Sequence, residues 1–174
     1  MTKTELQKIL KAGDVLAYYS KSFFGLLISV KTWHKISHTE VYIGDGKTVT
    51  STVNGGVGIY DLDMNGLVGV YRPKTPFNLK KAMDWYYKEA VGQKYDWKGI
   101  LGFTTIVKGG DRTKQFCSEL CTRFLRKGGV EPFAPREDAD KVAPFQLTIS
   151  PVIPIFLSLY RQNGSDYAIQ FPQN

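Results

Sequence analysis

Cysteine and histidine are scarce in this chain, with two of each among 174 residues. So few cysteines exclude a disulfide-built scaffold. Cys117 and Cys121 stand four residues apart in "QFCSELC". On a helix their Cβ atoms would lie roughly 6 Å apart, well beyond the ~3.8 Å of a disulfide, so both are expected as free thiols. No apolar run approaches the roughly 18 to 20 residues of a membrane-spanning helix. "SPVIPIFLSLY" is the most apolar stretch, and two prolines interrupt it. The opening "MTKTELQKILKAGDV" is amphipathic and polar, unlike a secretory signal. A cytoplasmic protein, or one released without a classical signal, is the expectation. Acidic residues are the minority, 16 against 23 Lys and Arg, giving a net charge of +7. That excess suits solubility or an anionic surface. No zinc-finger, helix-turn-helix or RNA-binding signature accompanies it, so nucleic acid is not an expected partner.

Hydrophobic residues make up 43% of the chain, enough for a packed core. No linker or repeat divides it, and residues 1–174 are expected to form one domain. Thr2 and Glu5 have capping-box spacing and open a short helix over "TKTELQKILKA". "VLAYYS" reads as a strand, and "SKSFFGLLISVKTWHK" as a helix capped by Ser20 or Ser22. "HTEVYIGDGKTVTS" alternates between two faces around a glycine turn, which predicts a hairpin. "GVGIYDL" and "GLVGVYRP" add two strands. "NLKKAMDWYYKEAVGQ" predicts a helix from the Asn78 cap to Gly92, and "YDWKGILGF" a short helix capped by Asp96. "TKQFCSELCTRFLRKGG" predicts a helix with Cys117, Leu120, Cys121, Phe124 and Leu125 as its apolar stripe. The Pro- and charge-rich remainder, "PREDADKVAPFQLTISPVIPIF", is expected to wrap the surface. Strands clustered between helices point to the α+β class.

Cys117 falls at or near the start of its helix. Unpaired N–H groups and the helix dipole there favour the thiolate and can hold an oxyanion. Cys121, one turn deeper, has the position of a core thiol. A small buried hydrophobe is the commoner role for any cysteine, so Cys117 needs a base beside it. His34 reads as a surface histidine at a helix end. His38 opens the hairpin strand, and Glu40 projects on the same face two residues later. Glu40 either orients the His38 ring or pairs with a nearby cation. His34 and His38 have metal-ligand spacing on a helix, but the pattern changes from helix to strand between them and no third ligand is evident. No metal or cofactor is therefore expected.

The ordered set "GDVLAYYS", "ISHTEVYIGDGKTVTS", "VYRP", "VGQKYDWKGILGF", "QFCSELCTRFL" and "DKVAPFQLTISP" resembles the circularly permuted NlpC-type papain-like family, closest to its YiiX/YaeF-like group. That group is related to lecithin:retinol acyltransferase-like enzymes. The likeness covers roughly residues 13–151 and includes the permuted order, histidine strand first and cysteine helix last. It implies an antiparallel meander or barrel packed on helices. It also implies a cysteine hydrolase or acyltransferase acting on an amide, ester or thioester. Carried over, Cys117 is the nucleophile and His38 the base. Relatives often place His or Glu on the return strand, where this chain has Thr50, so Glu40 or Thr50 would orient the ring. Tyr42, Tyr95 and Ser118 would line the pocket, although the "G-x-x-Y-D" segment with Tyr95 and Asp96 also reads as structural. Peptide, peptidoglycan or acyl-lipid substrates are implied. A non-catalytic module of the same fold, binding lipid or protein, is the alternative.

Overall fold

A computed structural model describes residues 1–19, 29–30, 33–95, 115–134, 136–162 and 166–172. Helix α1, Lys3–Ile9, starts on the expected capping box: Glu5 N–H donates to Thr2 Oγ1, and Thr2 N–H donates to Glu5 Oε2. Strands β1 (Val15–Tyr18), β2 (His38–Gly44), β3 (Lys47–Thr52), β4 (Gly56–Asp61) and β5 (Leu67–Tyr71) follow. With β6 (Ile155–Gln162) and β7 (Asp166–Gln170) they form a seven-stranded sheet in the order β4-β3-β2-β1-β5-β6-β7. Every neighbouring pair is antiparallel. Among the described residues β4 and β7 remain the two edges, so the sheet is open and the barrel alternative does not hold.

Alternation along the strands separates two cores. Val15, Val41, Val49 and Val57 face α2 (Leu79–Trp85) and α3 (Cys117–Lys127), packing with Trp85, Leu120, Phe124 and Leu125. Leu16, Tyr18, Tyr42, Val70 and Leu157 occupy the opposite face, covered by Leu6 and Leu10 of the α1 segment. The class is α+β, with the sheet between unequal helical layers. Asn78 caps α2 by accepting from Lys81 N–H, and a π-helical turn over Tyr86–Ala90 extends it to Gly92. The α3 helix stops at Gly128. A Cβ there would lie 2.0 Å from the Phe77 ring, so the close approach requires glycine.

The carboxy-terminal reading needs correction. The segment expected to wrap the surface buries Val142, Pro144, Leu147 and Ile153 against the α3 side of the sheet. It contains α4, Pro144–Thr148, and leads into β6, whose Leu157 lies opposite Val70 of β5. Apolar residues on both faces of "IFLSLY" hide the period-two signal, and Pro151 and Pro154 sit just outside the strand, where proline is tolerated. The helix expected over "SKSFFGLLISVKTWHK" lies mostly outside the described residues, and the one over "YDWKGILGF" almost wholly so.

Two pieces of the sequence pattern are joined physically. Asp14, from "GDV", is 1% exposed and accepts from Arg72 Nε at 2.8 Å and Nη2 at 2.6 Å. Lys11 N–H also donates to it, while Arg72 bonds the Ile9 carbonyl and covers the Phe156 ring. This bidentate pair ties α1, β1, β5 and β6 together around a buried charge that has no other neutralising partner among the described residues.

Candidate thiol site

The site forms where two paired strands part. β2 and β3 pair at Gly44↔Lys47, Tyr42↔Thr48 and Val41↔Val49, and no further rung joins them toward His38. The backbone of Thr39, which would make the next rung, is engaged elsewhere. Its N–H donates to the Cys117 sulfur. Its carbonyl accepts from Thr50 Oγ1 at 2.9 Å and from the Cys121 thiol at 3.4 Å. On the other strand, Ser51 Oγ donates to the Gln115 carbonyl at 2.7 Å. The start of α3 thus replaces the missing rung. This brings Cys117 from the helical side of the sheet to His38 at the strand end.

His38 and Cys117 are hydrogen-bonded. Nε2 of the ring lies 3.2 Å from Glu40 Oε1 and 3.3 Å from Thr50 Oγ1. A hydroxyl has one proton, and that of Thr50 goes to the Thr39 carbonyl. Thr50 therefore only accepts from the ring. Both these neighbours of Nε2 are then acceptors, so Nε2 carries a proton. Glu40 and Thr50 both reach the ring, with Glu40 supplying the negative charge. Glu40 Oε2 in turn accepts from the Tyr18 hydroxyl at 3.2 Å. Tyr18 is a contact that sequence reasoning missed, because a tyrosine inside "VLAYYS" reads as core.

Burial opposes charge on both His38 and Cys117, yet each offsets that cost for the other. The His38 side chain is 23% exposed and Cys117 only 1%. Desolvation disfavours the imidazolium. The Cys117 charge and hydrogen bond, followed by those of Glu40, overcome it and push His38 up to about 10. Burial likewise raises the Cys117 thiol, but the His38 charge and hydrogen bond bring it below its usual value, helped by the N–H groups of Thr39 and Ser118. Cys121 goes the other way. Burial and then the neighbouring Cys117 charge hold it well above the ordinary thiol range. The surroundings thus favour the thiolate at one cysteine and disfavour it at the other.

The start of α3 has no side-chain cap, because Phe116 occupies the N-cap position. No side chain caps its first N–H groups, and that of Ser118 is turned to the sulfur. The remaining sequence-predicted residues divide by role. Ser118 offers its N–H to the sulfur, but its hydroxyl is buried and donates to the Val142 carbonyl at 2.6 Å, so its side chain braces the helix and does not line a pocket. Tyr42 shares the His38 face but is buried, accepting from Gly46 N–H at 3.1 Å, which secures the hairpin turn. Tyr95 packs with Phe116 and Val53 beneath the cysteine, and Asp96 lies outside the described residues. His34 stacks on Phe145 and accepts from Ile36 N–H, away from His38.

Among the described residues no group of three His, Cys, Asp or Glu side chains is placed to hold a metal ion. No helix among them is long and apolar enough to cross a membrane. No family model matches the chain, and comparison with curated proteins finds no match.

Proposed function

We propose that the protein is a cysteine-dependent hydrolase or acyltransferase that cleaves an amide, ester or thioester bond. The observation that carries this reading is the hydrogen-bonded Cys117–His38 pair with a carboxylate 3.2 Å from the ring Nε2. A buried thiol in the core needs none of these partners. A nucleophile needs all three: a lowered thiol pKa, a proton donor and a group that orients the donor.

The Cys117 thiolate attacks the carbonyl carbon, forming a C–S bond and an oxyanion. N–H groups at the open start of α3 stabilise that oxyanion. His38 gives its proton to the leaving nitrogen, oxygen or sulfur as the scissile bond breaks. In the second half, His38 takes a proton from water or another acceptor, which attacks the acyl carbon and expels the thiolate. Glu40 stabilises the imidazolium present before each proton is given. The order of the groups, base strand before nucleophile helix, supports a permuted papain-like (NlpC-type) architecture. The net charge of +7 suits an anionic surface, so peptidoglycan peptides and acyl lipids are the substrate classes to test first.

The test begins with iodoacetamide at neutral pH and intact-mass analysis. Cys117 should be modified far faster than Cys121, and His38→Ala should remove that advantage. Purified protein should then turn over a peptidoglycan fragment, acyl lipid or thioester, and Cys117→Ser should abolish turnover. Equal reactivity of the two thiols would reject the enzyme reading and leave the non-catalytic module.

A further inference from the structure

Glu40 has two carboxylate oxygens and only one faces His38. The other, Oε2, takes the Tyr18 hydroxyl at 3.2 Å. Tyr18 is itself fixed. Its side chain is 5% exposed, it lies directly opposite His38 across the β1–β2 ladder, and its ring centroid is 5.8 Å from the imidazole. The Asp63 carbonyl, in the turn before β5, lies 3.1 Å from the same hydroxyl and shares its single proton with Glu40 Oε2, the charged and stronger acceptor. A phenylalanine would fill the same apolar place among Leu16, Leu62 and Leu67. The hydroxyl is therefore not needed for packing. Carboxylate torsions are soft and broadly populated. An untethered Glu40, at the partly open end of the sheet, would rotate away from the ring for much of the time.

We propose that Tyr18 is a positioning residue of the thiol site, holding Glu40 Oε2 so that Oε1 stays on His38 Nε2. The inference rests on the thiol-enzyme reading above. Tyr18 meets the His38 ring by a tilted ring contact that phenylalanine would keep, and its hydroxyl reaches the site at Glu40. The chain of contacts runs Asp63 carbonyl, Tyr18, Glu40, His38, Cys117, and passes from the turn before β5 through two strands to one helix start. A loosened carboxylate gives a less basic ring. A less basic ring gives up its proton at lower pH, so the imidazolium–thiolate pair is lost earlier as pH rises.

The test is the NMR titration of the His38 ring in Tyr18→Phe, with thermal melting as the check on folding. A hydrogen bond to a charged group is among the stronger kinds, so the ring should titrate about one pH unit below its wild-type value of about 10. Tyr18→Met, which refills the cavity without a hydroxyl, is the second variant should Tyr18→Phe fold poorly. In a Glu40→Gln background, Tyr18→Phe should move the ring titration by less than about 0.3 pH unit further, because the hydroxyl's route through the carboxylate is gone and phenylalanine keeps the ring contact. A shift of equal size in that background, or an unmoved ring titration in the single variant, overturns the positioning role while the site reading stands. A wild-type Cys117 no more reactive than Cys121 overturns both.

Discussion

Glu40→Gln removes one charge and leaves the shape of the site. The carboxylate oxygen is 3.2 Å from Nε2, and the two side chains are 23% and 11% exposed, so the pair is neither bare nor fully buried. At an effective dielectric near 20, two unit charges at that distance attract by about 5 kcal/mol, an upper bound before desolvation is subtracted. Measured hydrogen bonds to charged groups cluster lower, at about 1.5–3 kcal/mol, because the amide still accepts and water relaxes around it. The expected loss in turnover is therefore about 10- to 150-fold. The alkaline limb of turnover should move down, because His38 falls from about 10 as the Glu40 contribution disappears. The acid limb of iodoacetamide modification should not rise, because His38 stays protonated there and one negative charge near the thiolate is gone. Thr50→Val is the comparison. It removes a neutral acceptor whose proton already serves the Thr39 carbonyl, so its loss should be only a few-fold. If Thr50→Val is the more damaging, Glu40 does not orient the ring and the charge argument fails.

Wild-type turnover should be bell-shaped. Its acid limb should lie below the ordinary thiol pKa of 9.0, where protonation removes the thiolate, and its alkaline limb near pH 10, where His38 loses the proton the leaving group needs; a single limb near pH 9 would refute the coupled pair. Asp14→Ala should lower stability by about 3–5 kcal/mol by leaving Arg72 without its buried partner, read as a fall in denaturation midpoint at unchanged m-value. Gly128→Ala should cost about 1–3 kcal/mol, because its methyl would meet the Phe77 ring, and thermal melting would detect it.

Features read correctly from the sequence are those whose partners lie within a few residues. The Thr2–Glu5 capping box, the Asn78 cap and the β2–β3 hairpin each depend on local spacing, and each forms. β6 was missed because it gains stability from β5, far back in the chain, and both its faces are apolar. The same distinction runs through the site. Cys117 at a helix start and His38 with Glu40 on one strand face could be named as candidates by period alone. Their meeting could not, because it depends on β2 and β3 parting after Val41↔Val49 and on α3 filling the gap. That is a contest between backbone hydrogen bonds, and local pattern does not encode its outcome.

The sequence by itself determined the chemical inventory: two thiols of unequal position, one histidine on a strand, a carboxylate on its face and a hydroxyl on the return strand. Tertiary structure decided how those groups divide the work. It lowers the Cys117 thiol by placing His38 and two N–H groups against it, and raises Cys121 one turn further into the core. It brings both Glu40 and Thr50 to Nε2, and directs the Thr50 proton to the Thr39 carbonyl. It also turns Tyr18 from an apparent core residue into the neighbour of Glu40. The physical reason is distance. Charge and hydrogen-bond energies depend on separations of a few ångströms between strands and helices that lie far apart along the chain.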